Sequence, residues 1–391
     1  RTLFYNWSKP KQDMTAMVKI FQTGDNHFGK RYDNFPQIRE RLIRSRFEAL
    51  QRCVAFADRN GCDFFVVTGD LFDNTNRIPR RTVREAVRIL GSFSGTQVLV
   101  LPGNHDFCTG EEKVWADFCE EVSDGGYAIT LLREQRPYVF EAEDGTAVFY
   151  PAPCDAKHSA VNTLGWIREA DLTGDYRIGV AHGALEKLSP DLKNEYFPMT
   201  EKELSAIAVD AWLIGHTHIP YPQLPEDADL SGYRIFNAGT HEQTDVSNNT
   251  PGYGFLLTLT REGGKNKVLA RAYRSGGVFY PLRQVTAAPG ALETAICQAT
   301  EDLEETSVVR LVLRGSVTAE EYRSRKQLYD TLLSRFLTWE VLDGELCEEI
   351  TPERIRDAFP EVSLAAKLLL ELLEDPVEAR MAYELLEECR S

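Results

Sequence analysis

Short apolar runs alternate with longer amphipathic segments over residues 17–282. The apolar runs, such as those in 64–68 and 98–101, are typical of buried strands. Over 38–58, apolar residues recur at spacings of three and four with charged residues between them, which predicts an amphipathic helix. A second helix is predicted over 83–90. The predicted strands are 18–22, 64–68, 98–101, 148–150, 178–181, 212–214, 233–236 and 255–259.

The order of these elements is strand, loop, helix, strand along the first part of the chain. This order predicts an α/β layered fold. In open α/β folds, ligands bind beyond the carboxyl ends of the strands. We therefore expect the functional site to lie in the loops that follow the predicted strands.

The pattern changes after residue 284, where the stretch TAAPGA indicates a domain boundary. Beyond it, the sequence predicts one strand over 308–313, followed by helical segments. We expect two domains, 17–284 and 285–391.

The first residues carry no clear periodicity, and the chain begins at Arg1 rather than at a methionine. Met14 or Met17 is a candidate for the native start. We therefore treat residues 1–16 as an N-terminal extension or the remnant of one.

The last two predicted helices, 364–373 and 377–389, are rich in leucine and glutamate. In the second, Val377, Met381 and Leu385 recur at every fourth position, so they line one face of the helix. This spacing favours a packed helix pair over an exposed groove for a partner, and both interpretations stay open. The acidic residues on the other faces argue against contact with DNA in this region.

Composition limits the partners of the protein. The formal net charge of −16 argues against a protein whose whole surface binds DNA, although bound divalent cations and a local basic strip can reverse the field at one site. The eight cysteines are scattered without a Cys-x-x-Cys pair, which favours reduced thiols and a cytoplasmic location. No apolar run approaches the ~20 residues of a membrane-spanning helix, so we expect no membrane partner.

Five short polar motifs, each containing Gly, Asp or His, follow predicted strands of the first domain. Glycine lets the backbone turn tightly there, so that the next side chain can point into a shared crevice. One such motif alone would be interpreted as a turn, whereas five in order at successive strand ends indicate a site. The motifs are GDNHFG (24–29), GDLFD (69–73), GNHD (103–106), AHG (181–183) and GHTH (215–218).

The motifs offer carboxylate, amide and imidazole ligands but no cysteine. This mixture suits an ion such as Mn²⁺, Fe²⁺ or Zn²⁺ rather than a thiolate-bound structural zinc. Two ions ~3.5–4 Å apart can stabilise the attacking and leaving oxygens of an in-line phosphoryl displacement and lower the pKa of a water between them. The seven candidate ligands, enough for two ions if one carboxylate bridges, are Asp25, His27, Asp70, Asn104, His182, His216 and His218.

The motif set Asp-x-His, Gly-Asp-x-x-Asp, Gly-Asn-His-Asp, His-Gly and Gly-His-x-His, in this order, resembles the calcineurin-like metallophosphoesterases. The resemblance implies a four-layer αββα sandwich with a smaller C-terminal α+β cap domain. It places His105 near the leaving oxygen as general acid or transition-state stabiliser, with Asp106 orienting it. The implied ligands of one ion are Asp25, His27, Asp70 and His218, and those of the other are Asp70, Asn104, His182 and His216.

The strings GDNHFGK, VVTGDLFDN, LPGNHD and GHTHIP, followed by a separate C-terminal domain, resemble the SbcD-type DNA repair exonucleases and most of all their YhaO-like bacterial members. The second motif lacks the Asp-Arg-Gly of protein phosphatases, which argues against a phosphoprotein substrate. The resemblance implies a manganese-dependent nuclease that works with an SMC-like ATPase of the SbcC type. A homodimer stays an open alternative.

Local basic residues would have to make the contacts with DNA. Lys30 and Arg31 follow the first motif directly, and Arg77 follows the second. These loops leave the predicted metal edge, where contacts to phosphates would position a strand. The alternative interpretation is an ordinary solvated loop surface.

These observations support three functions to different degrees. The leading hypothesis is a two-metal phosphodiesterase that acts on DNA, as an exonuclease in DNA repair. The charge of −16 favours an alternative, a phosphodiesterase for a small diester such as a cyclic nucleotide, because a compact substrate needs no extended basic track. A non-enzymatic scaffold for an ATPase, with structural metals, is the third, and the intact motifs argue against it.

Overall fold

The computed structural model of the protein describes residues 16–188, 191, 193–223, 230, 232–248 and 250–389. The expected N-terminal extension, 1–16, therefore lies outside the described residues except for its last one. The chain divides into two compact units, Arg1–Phe279 and Tyr280–Ser391. The domain limits predicted at 284 and 285 stay predictions.

The first unit alternates strands and helices, as the hydrophobic pattern predicts. Its strands are β1 (Met17–Thr23), β2 (Phe64–Val67), β3 (Gln97–Val100), β4 (Ile129–Leu131), β5 (Tyr138–Ala142), β6 (Gly145–Ala152), β7 (Tyr176–His182), β8 (Ala211–Gly215), β9 (Ile235–Asn237), β10 (Tyr253–Glu262) and β11 (Lys265–Arg274). Its helices are α1 (Arg39–Arg59), α2 (Arg80–Leu90), α3 (Lys113–Gly125), α4 (Gly165–Glu169) and α5 (Glu201–Ala206).

These strands form two sheets. The first has the order β11-β10-β1-β2-β3-β4, with β1 to β4 parallel and β10 antiparallel to both of its neighbours. The second has the order β5-β6-β7-β8-β9, with β6 to β9 parallel. Because parallel strands end at the same edge, the loops after β1, β2 and β3 emerge together, as do those after β7 and β8.

The burial of alternate residues explains the layering. Phe64 and Val66 of β2 share one apolar cluster with Phe149 of β6, so the two sheets face each other. Phe65 and Val67 point to the other face of the first sheet and pack under α1, α2 and α3. A third cluster covers the outer face of the second sheet with α4 and α5. The predicted αββα order of layers is confirmed.

The second unit has a smaller core of its own around a parallel sheet in the order β12-β13-β14. None of the helices in the described part of the chain is long and apolar enough to cross a bilayer. The elements of this unit are β12 (Leu282–Ala287), α6 (Leu292–Thr300), β13 (Val308–Val317), α7 (Ala319–Leu333), β14 (Thr338–Glu348), α8 (Pro352–Ala358), α9 (Leu364–Leu372) and α10 (Pro376–Glu388).

The hydrophobic pattern predicts β13 but misses β12 and β14, which are the edge strands of this sheet. In β14, the acidic residues Glu340, Asp343 and Glu345 interrupt the apolar ones. An edge strand with few buried residues needs no continuous apolar run, so the sequence carries no strong strand signal there.

The face of α10 also differs from the sequence-based expectation. Val377, Met381 and Leu385 are exposed, whereas Ala379 on another face is buried. Leu369 of α9 is buried in the small apolar cluster of this region. The two helices do pack together, with Tyr383 of α10 in the same cluster, but the face with the fourfold spacing is not the packed face.

Candidate metal centre

Backbone hydrogen bonds align the loops at the strand ends. The N–H of Asp25 donates to the carbonyl of Gly69 over 3.0 Å, and the N–H of His27 donates to the carbonyl of Asp70 over 2.9 Å. The N–H of His216, from the second sheet, donates to the carboxylate of Asp25 at 3.1 and 3.2 Å. The loops of both sheets are thus joined where the predicted ligands lie.

Several of these residues have an unusual backbone conformation. Asp25, His27 and Asp70 have φ angles of 49°, 45° and 50°, and His216 has a φ of 104°. Residues other than glycine rarely adopt positive φ, because the Cβ atom is crowded there. Such strain persists where the surrounding structure enforces it, and it is concentrated at functional sites.

The first ligand group joins Asp25 and His27 with His218. The Nε2 atoms of His27 and His218 are 3.0 Å apart. The Nε2 atom of His218 lies 3.7 Å from Oδ1 of Asp25, and the Nε2 atom of His27 lies 3.7 Å from Oδ2 of Asp70. Two imidazole nitrogens that face each other between carboxylates form a donor set typical of a divalent cation.

The second ligand group joins Asp70, His182 and His216, and Asn104 lies among them. The Oδ1 atom of Asn104 is 3.1 Å from Nε2 of His182 and 3.0 Å from Nδ1 of His216. The Nε2 atom of His182 is also 3.4 Å from Oδ2 of Asp70. The same carboxylate oxygen of Asp70 therefore faces both groups, as a bridging ligand must.

All seven predicted ligands thus meet at one edge of the first unit. Each group takes ligands from both sheets. Asp25, His27, Asp70 and Asn104 follow strands of the first sheet, and His182, His216 and His218 end or follow strands of the second.

The tautomer of His182 is fixed by its neighbour. Its Nδ1 atom lies 2.8 Å from the carbonyl oxygen of Thr68, which can only accept, so Nδ1 carries a hydrogen and Nε2 of the neutral ring holds the lone pair. Without a cation, burial opposes protonation of this ring, but the carboxylates of Asp70 and Asp25 and the Thr68 carbonyl together outweigh burial and raise the pKa of His182 to about 9. A cation bound at Nε2 would have to displace that proton.

The pKa values of the other ionisable groups show that charged side chains are unfavourable in this cavity without counter-charge. Burial, supported by the charge of Asp70, raises the pKa of Asp106 to about 8. Burial also raises the pKa of Asp25 to about 7. Burial, followed by repulsion from His182, lowers the pKa of His216 to about 4. Divalent cations would stabilise ionised carboxylates and neutral imidazoles together, so the residues present fit the predicted pair of ions.

His105 lies beside the first group. Its ring stands edge-on to that of His27, with 4.7 Å between the ring centroids. The backbone N–H of His105 donates to Oδ1 of Asp70 over 2.8 Å, and the ring Nδ1 atom lies 3.2 Å from the carbonyl oxygen of Asp73. The carbonyl can only accept, so Nδ1 carries a hydrogen and Nε2 is left to face a ligand.

Asp106 bonds to backbone groups beside His105, and its predicted role in orienting the His105 ring stays a prediction. Its carboxylate accepts hydrogen bonds from the N–H of Gly103 over 2.7 Å and the N–H of Phe72 over 2.9 Å. It therefore joins the loops after β2 and β3, and the contact of the His105 ring is with Asp73.

Two glycines make room for the ligands. At Gly69, where φ is 100°, a Cβ atom would collide with the His182 ring. At Gly215, a Cβ atom would collide with the carbonyl oxygen of Thr68. A side chain at either position would displace the hydrogen-bonded pair of Thr68 and His182.

Arg46 of α1 supports the site from behind, and the sequence analysis missed it. The side chain is 2% exposed. Its Nε atom donates to the carbonyl of Asn26 over 2.7 Å, and its guanidinium nitrogens also reach the carbonyl of Asp25 at 3.2 Å and that of Glu242 at 3.4 Å. The sequence did indicate that Arg46 is buried. It lies four residues from the apolar Leu42 and therefore on the buried face of the helix.

The three predicted DNA-contacting residues do not all line the same cleft. Arg31 and Arg77 line one cleft beside His105, and Lys157, which the sequence analysis did not select, lines it with them. Lys30 borders a neighbouring cleft, which Arg31 also lines. Its Nζ atom lies 5.9 Å from the centre of the Tyr32 ring, and burial lowers the pKa of Lys30.

Comparison with known proteins agrees with this site. A curated relative, the uncharacterized metallophosphoesterase YhaO of Bacillus subtilis (strain 168), is 25% identical over 183 residues, which are 46% of this chain and 42% of the relative. A second, named "Putative phosphoesterase 078R" of Invertebrate iridescent virus 3, is 31% identical over 102 residues, which are 26% of each chain. The chain thus spans less than half the length of the curated relatives it matches.

Among solved structures, the chain is similar to the calcineurin-like phosphoesterase YfkN from Bacillus subtilis, with 12% identity and a TM-score of 0.40 over 67% of this chain and 91% of that chain. The family model of the calcineurin-like phosphoesterases matches residues 18–220, more than half of the chain. This match covers every ligand of both groups. The chain therefore belongs to the calcineurin-like phosphoesterase family.

Proposed function

We propose that this protein is a metal-dependent phosphodiesterase that cleaves DNA, as an exonuclease in DNA repair with Mn²⁺ as its ion. The observation that carries the proposal is the sharing of Asp70 between two ligand groups, with His105 beside it. A single structural ion would need one such group. Two groups with a common carboxylate can hold a pair of ions that stabilises the attacking and leaving oxygens of an in-line displacement at phosphorus.

The residues of the chain would have separate roles in the reaction. The seven ligands would hold two divalent cations, and Asp70 would be a ligand common to both. Bound cations would draw charge from the phosphate oxygens and lower the pKa of the attacking water. The buried loops around Asp25 and Asp70 exclude bulk water, which strengthens every charge interaction in the site.

His105 is placed to act on the leaving oxygen. The Asp73 carbonyl keeps a hydrogen on Nδ1, so a protonated ring can hold its second hydrogen at Nε2 and donate it. The backbone N–H of His105, bonded to Asp70, fixes the ring relative to the ligand groups. Removal of a general acid reduces the rate by about 10²–10⁴-fold.

A nuclease assay with matched variants tests this proposal. Purified protein is incubated with end-labelled single- and double-stranded DNA across Mn²⁺, Fe²⁺, Zn²⁺ and Mg²⁺. We expect Asp70→Asn to abolish cleavage and His105→Ala to slow it by about 10²–10⁴-fold. Lys265→Ala, which removes an exposed side chain from the hairpin of β10 and β11, is the control and should cleave like the wild type. Wild-type cleavage by Asp70→Asn would contradict the proposal.

A second candidate is the same chemistry on a small diester such as a cyclic nucleotide. The formal charge of −16 favours it, because DNA is repelled by an acidic surface. Turnover of a chromogenic diester without any degradation of DNA would favour this candidate. Metal binding without turnover of either substrate would support the non-enzymatic scaffold.

We further propose an SMC-like ATPase as partner, with α10 as the contact and the cytoplasm as the location. The exposed apolar residues Val377, Met381 and Leu385 support a docking role for this helix. Size-exclusion chromatography with a candidate ATPase tests the partner, and loss of the complex in Met381→Ser would locate the contact. A homodimer through the same face would show as a doubled mass of the protein alone.

A further inference from the structure

Two clefts that His105 lines differ in charge. One, of about 570 Å³, is lined by Arg31, Arg77 and Lys157 together with Asp73. The other, of about 610 Å³, is lined by metal ligands and runs past Tyr196 and Asp245, and no lysine or arginine lines it among the described residues. In a chain with 60 acidic and 44 basic residues, a concentration of positive charge in one cleft requires an explanation.

The basic residues of the first cleft are available to a ligand. Within the described ranges, Arg31, Arg77 and Lys157 form no ion pair with a carboxylate, whereas Arg80 and Arg84 nearby bind Glu121. An acidic protein offers many carboxylate partners, so three unpaired cations around one cleft differ from the ordinary surface of this molecule.

Hydrogen bonds connect Lys157 and Arg77 to the loops that carry the metal ligands. The carbonyl of Lys157 accepts a hydrogen bond from the side-chain amide of Asn104 over 3.4 Å. The side chain of Asn74 accepts a hydrogen bond from the N–H of Arg77 over 2.7 Å and so closes the turn that follows Asp73. A ligand in the cleft would therefore be positioned by the backbone that positions the ions.

We infer that this cleft is a subsite for a second phosphate group of the substrate, on the His105 side of the bond that is cleaved. Arginine and lysine are the side chains that bind phosphate, and the neutral polar groups of Asn74, Thr75 and Asn76 in the same lining provide further hydrogen bonds. The inference rests on the proposed function and narrows it. The preferred substrate is a chain of phosphodiesters rather than an isolated diester, because only the former places another phosphate next to the reacting one.

Three dinucleotides test the subsite. A thymidine dinucleotide without a terminal phosphate is compared with its 5′-phosphorylated and 3′-phosphorylated forms, and bis(p-nitrophenyl) phosphate serves as a diester with no second phosphate. We expect one phosphorylated form to have a KM about tenfold lower than the plain dinucleotide, since a charge-assisted contact is worth about that factor. In Arg77→Gln/Lys157→Gln this advantage should disappear, and the KM of the phosphorylated dinucleotide should rise more than that of bis(p-nitrophenyl) phosphate.

The matched control is Lys265→Gln/Lys267→Gln, which removes the same charge from the hairpin of β10 and β11. This hairpin lies at the amino end of β1, at the opposite edge of the sheet from the ligands. The control should keep the full preference for the phosphorylated form. Equal KM values for all three dinucleotides in the wild type, or a preference that survives in Arg77→Gln/Lys157→Gln, would overturn the inference.

The two proposals can fail separately. If no diester is cleaved with any ion, the proposed function fails, and equilibrium binding of the same dinucleotides in chelator still tests the cleft. A tighter Kd for one phosphorylated form, lost in Arg77→Gln/Lys157→Gln and kept in the control, supports the subsite. Identical Kd values reject it.

Discussion

The loop edge of the first unit buries charged side chains, whereas the last helix of the second unit exposes apolar ones. Asp25, Asp70 and Asp106 are at most 1% exposed. In contrast, Val377 and Leu385 of α10 are 68% and 61% exposed. Each region reverses the usual distribution of polar and apolar residues.

The reversal has a different physical consequence in each region. Buried carboxylates are unfavourable without counter-charge, so bound cations would stabilise the ionised form of those in the first unit. Exposed apolar residues reduce the stability of the folded chain only slightly. The free energy falls when another surface covers them. We therefore expect changes at the loop edge to have large effects on the isolated protein, and changes on α10 to have almost none.

The largest effect is expected from Asp25→Asn, which removes a buried charge and a metal ligand together. Activity should fall by about 10³-fold or more, because the transition-state stabilisation by the ion is worth several kcal/mol. In chelator at pH 8, the same variant should have a higher Tm than the wild type, since it lacks a carboxyl whose pKa burial raises to about 7. The nuclease assay with Mn²⁺ measures the activity, and calorimetry in chelator measures the Tm. A lower Tm in chelator would contradict this interpretation of the buried charge.

Arg46→Leu should destabilise the first unit by about 1–3 kcal/mol, because the carbonyl of Asn26 would lose both hydrogen bonds that it accepts from the Arg46 side chain. Urea unfolding gives this value. Arg44→Leu, on the exposed face of the same helix, is the control and should change the free energy of unfolding by less than about 0.5 kcal/mol. Similar values for the two variants would show that Arg46 does not support the loops.

Glu242 provides a pH test away from the ions. Burial raises its pKa to about 7, and the N–H groups of Gly277 and Val278 partly oppose this. The folded state therefore keeps a proton that the unfolded state loses, so stability falls as pH rises from about 4.5 to 7. In Glu242→Gln that contribution is absent. The difference in the free energy of unfolding between wild type and variant should therefore change by at most about 1.4 kcal/mol per pH unit in this window.

The exposed Glu169 is the control for this measurement. Glu169→Gln should follow the wild-type dependence on pH. A difference between wild type and Glu242→Gln that is constant from pH 4.5 to 7 would mean that the carboxyl titrates normally in the folded protein.

The smallest effect is expected on α10. Met381→Ser should change the free energy of unfolding of the isolated protein by less than about 0.5 kcal/mol, because the side chain is already in solvent. Leu369→Ala in neighbouring α9 is the buried counterpart and should cost about 2–5 kcal/mol. Equal losses in the two variants would show that the α10 face is packed in solution.

Much of the fold and the ligand set could be predicted from the sequence. Strands such as β2 are buried on both faces, so runs such as 64–68 identify them without reference to the rest of the chain, whereas the half-exposed β5 and β11 were not predicted. The ligands follow those runs directly, and the parallel order brings them to one edge.

The supporting groups could not be predicted in the same way. Lys157 reaches the site through a long loop between β6 and α4, and no local pattern relates it to Arg77. The contact of His105 with Asp73 is made by a backbone carbonyl, which has no residue signature. The edge strand β14 was missed because its partner on one side is absent, so its sequence is half polar.

Each group of ligands draws on both sheets, and this has a consequence for how long the protein survives. Cations held there would act as cross-links, so that separating the sheets would also require giving up the ions. The free energy of ion binding would then contribute to the free energy of folding as well as to catalysis. We expect a cell that is short of the ion to hold molecules that open more often at this edge and are degraded sooner, so that supply of the metal sets the abundance of the protein as well as its rate.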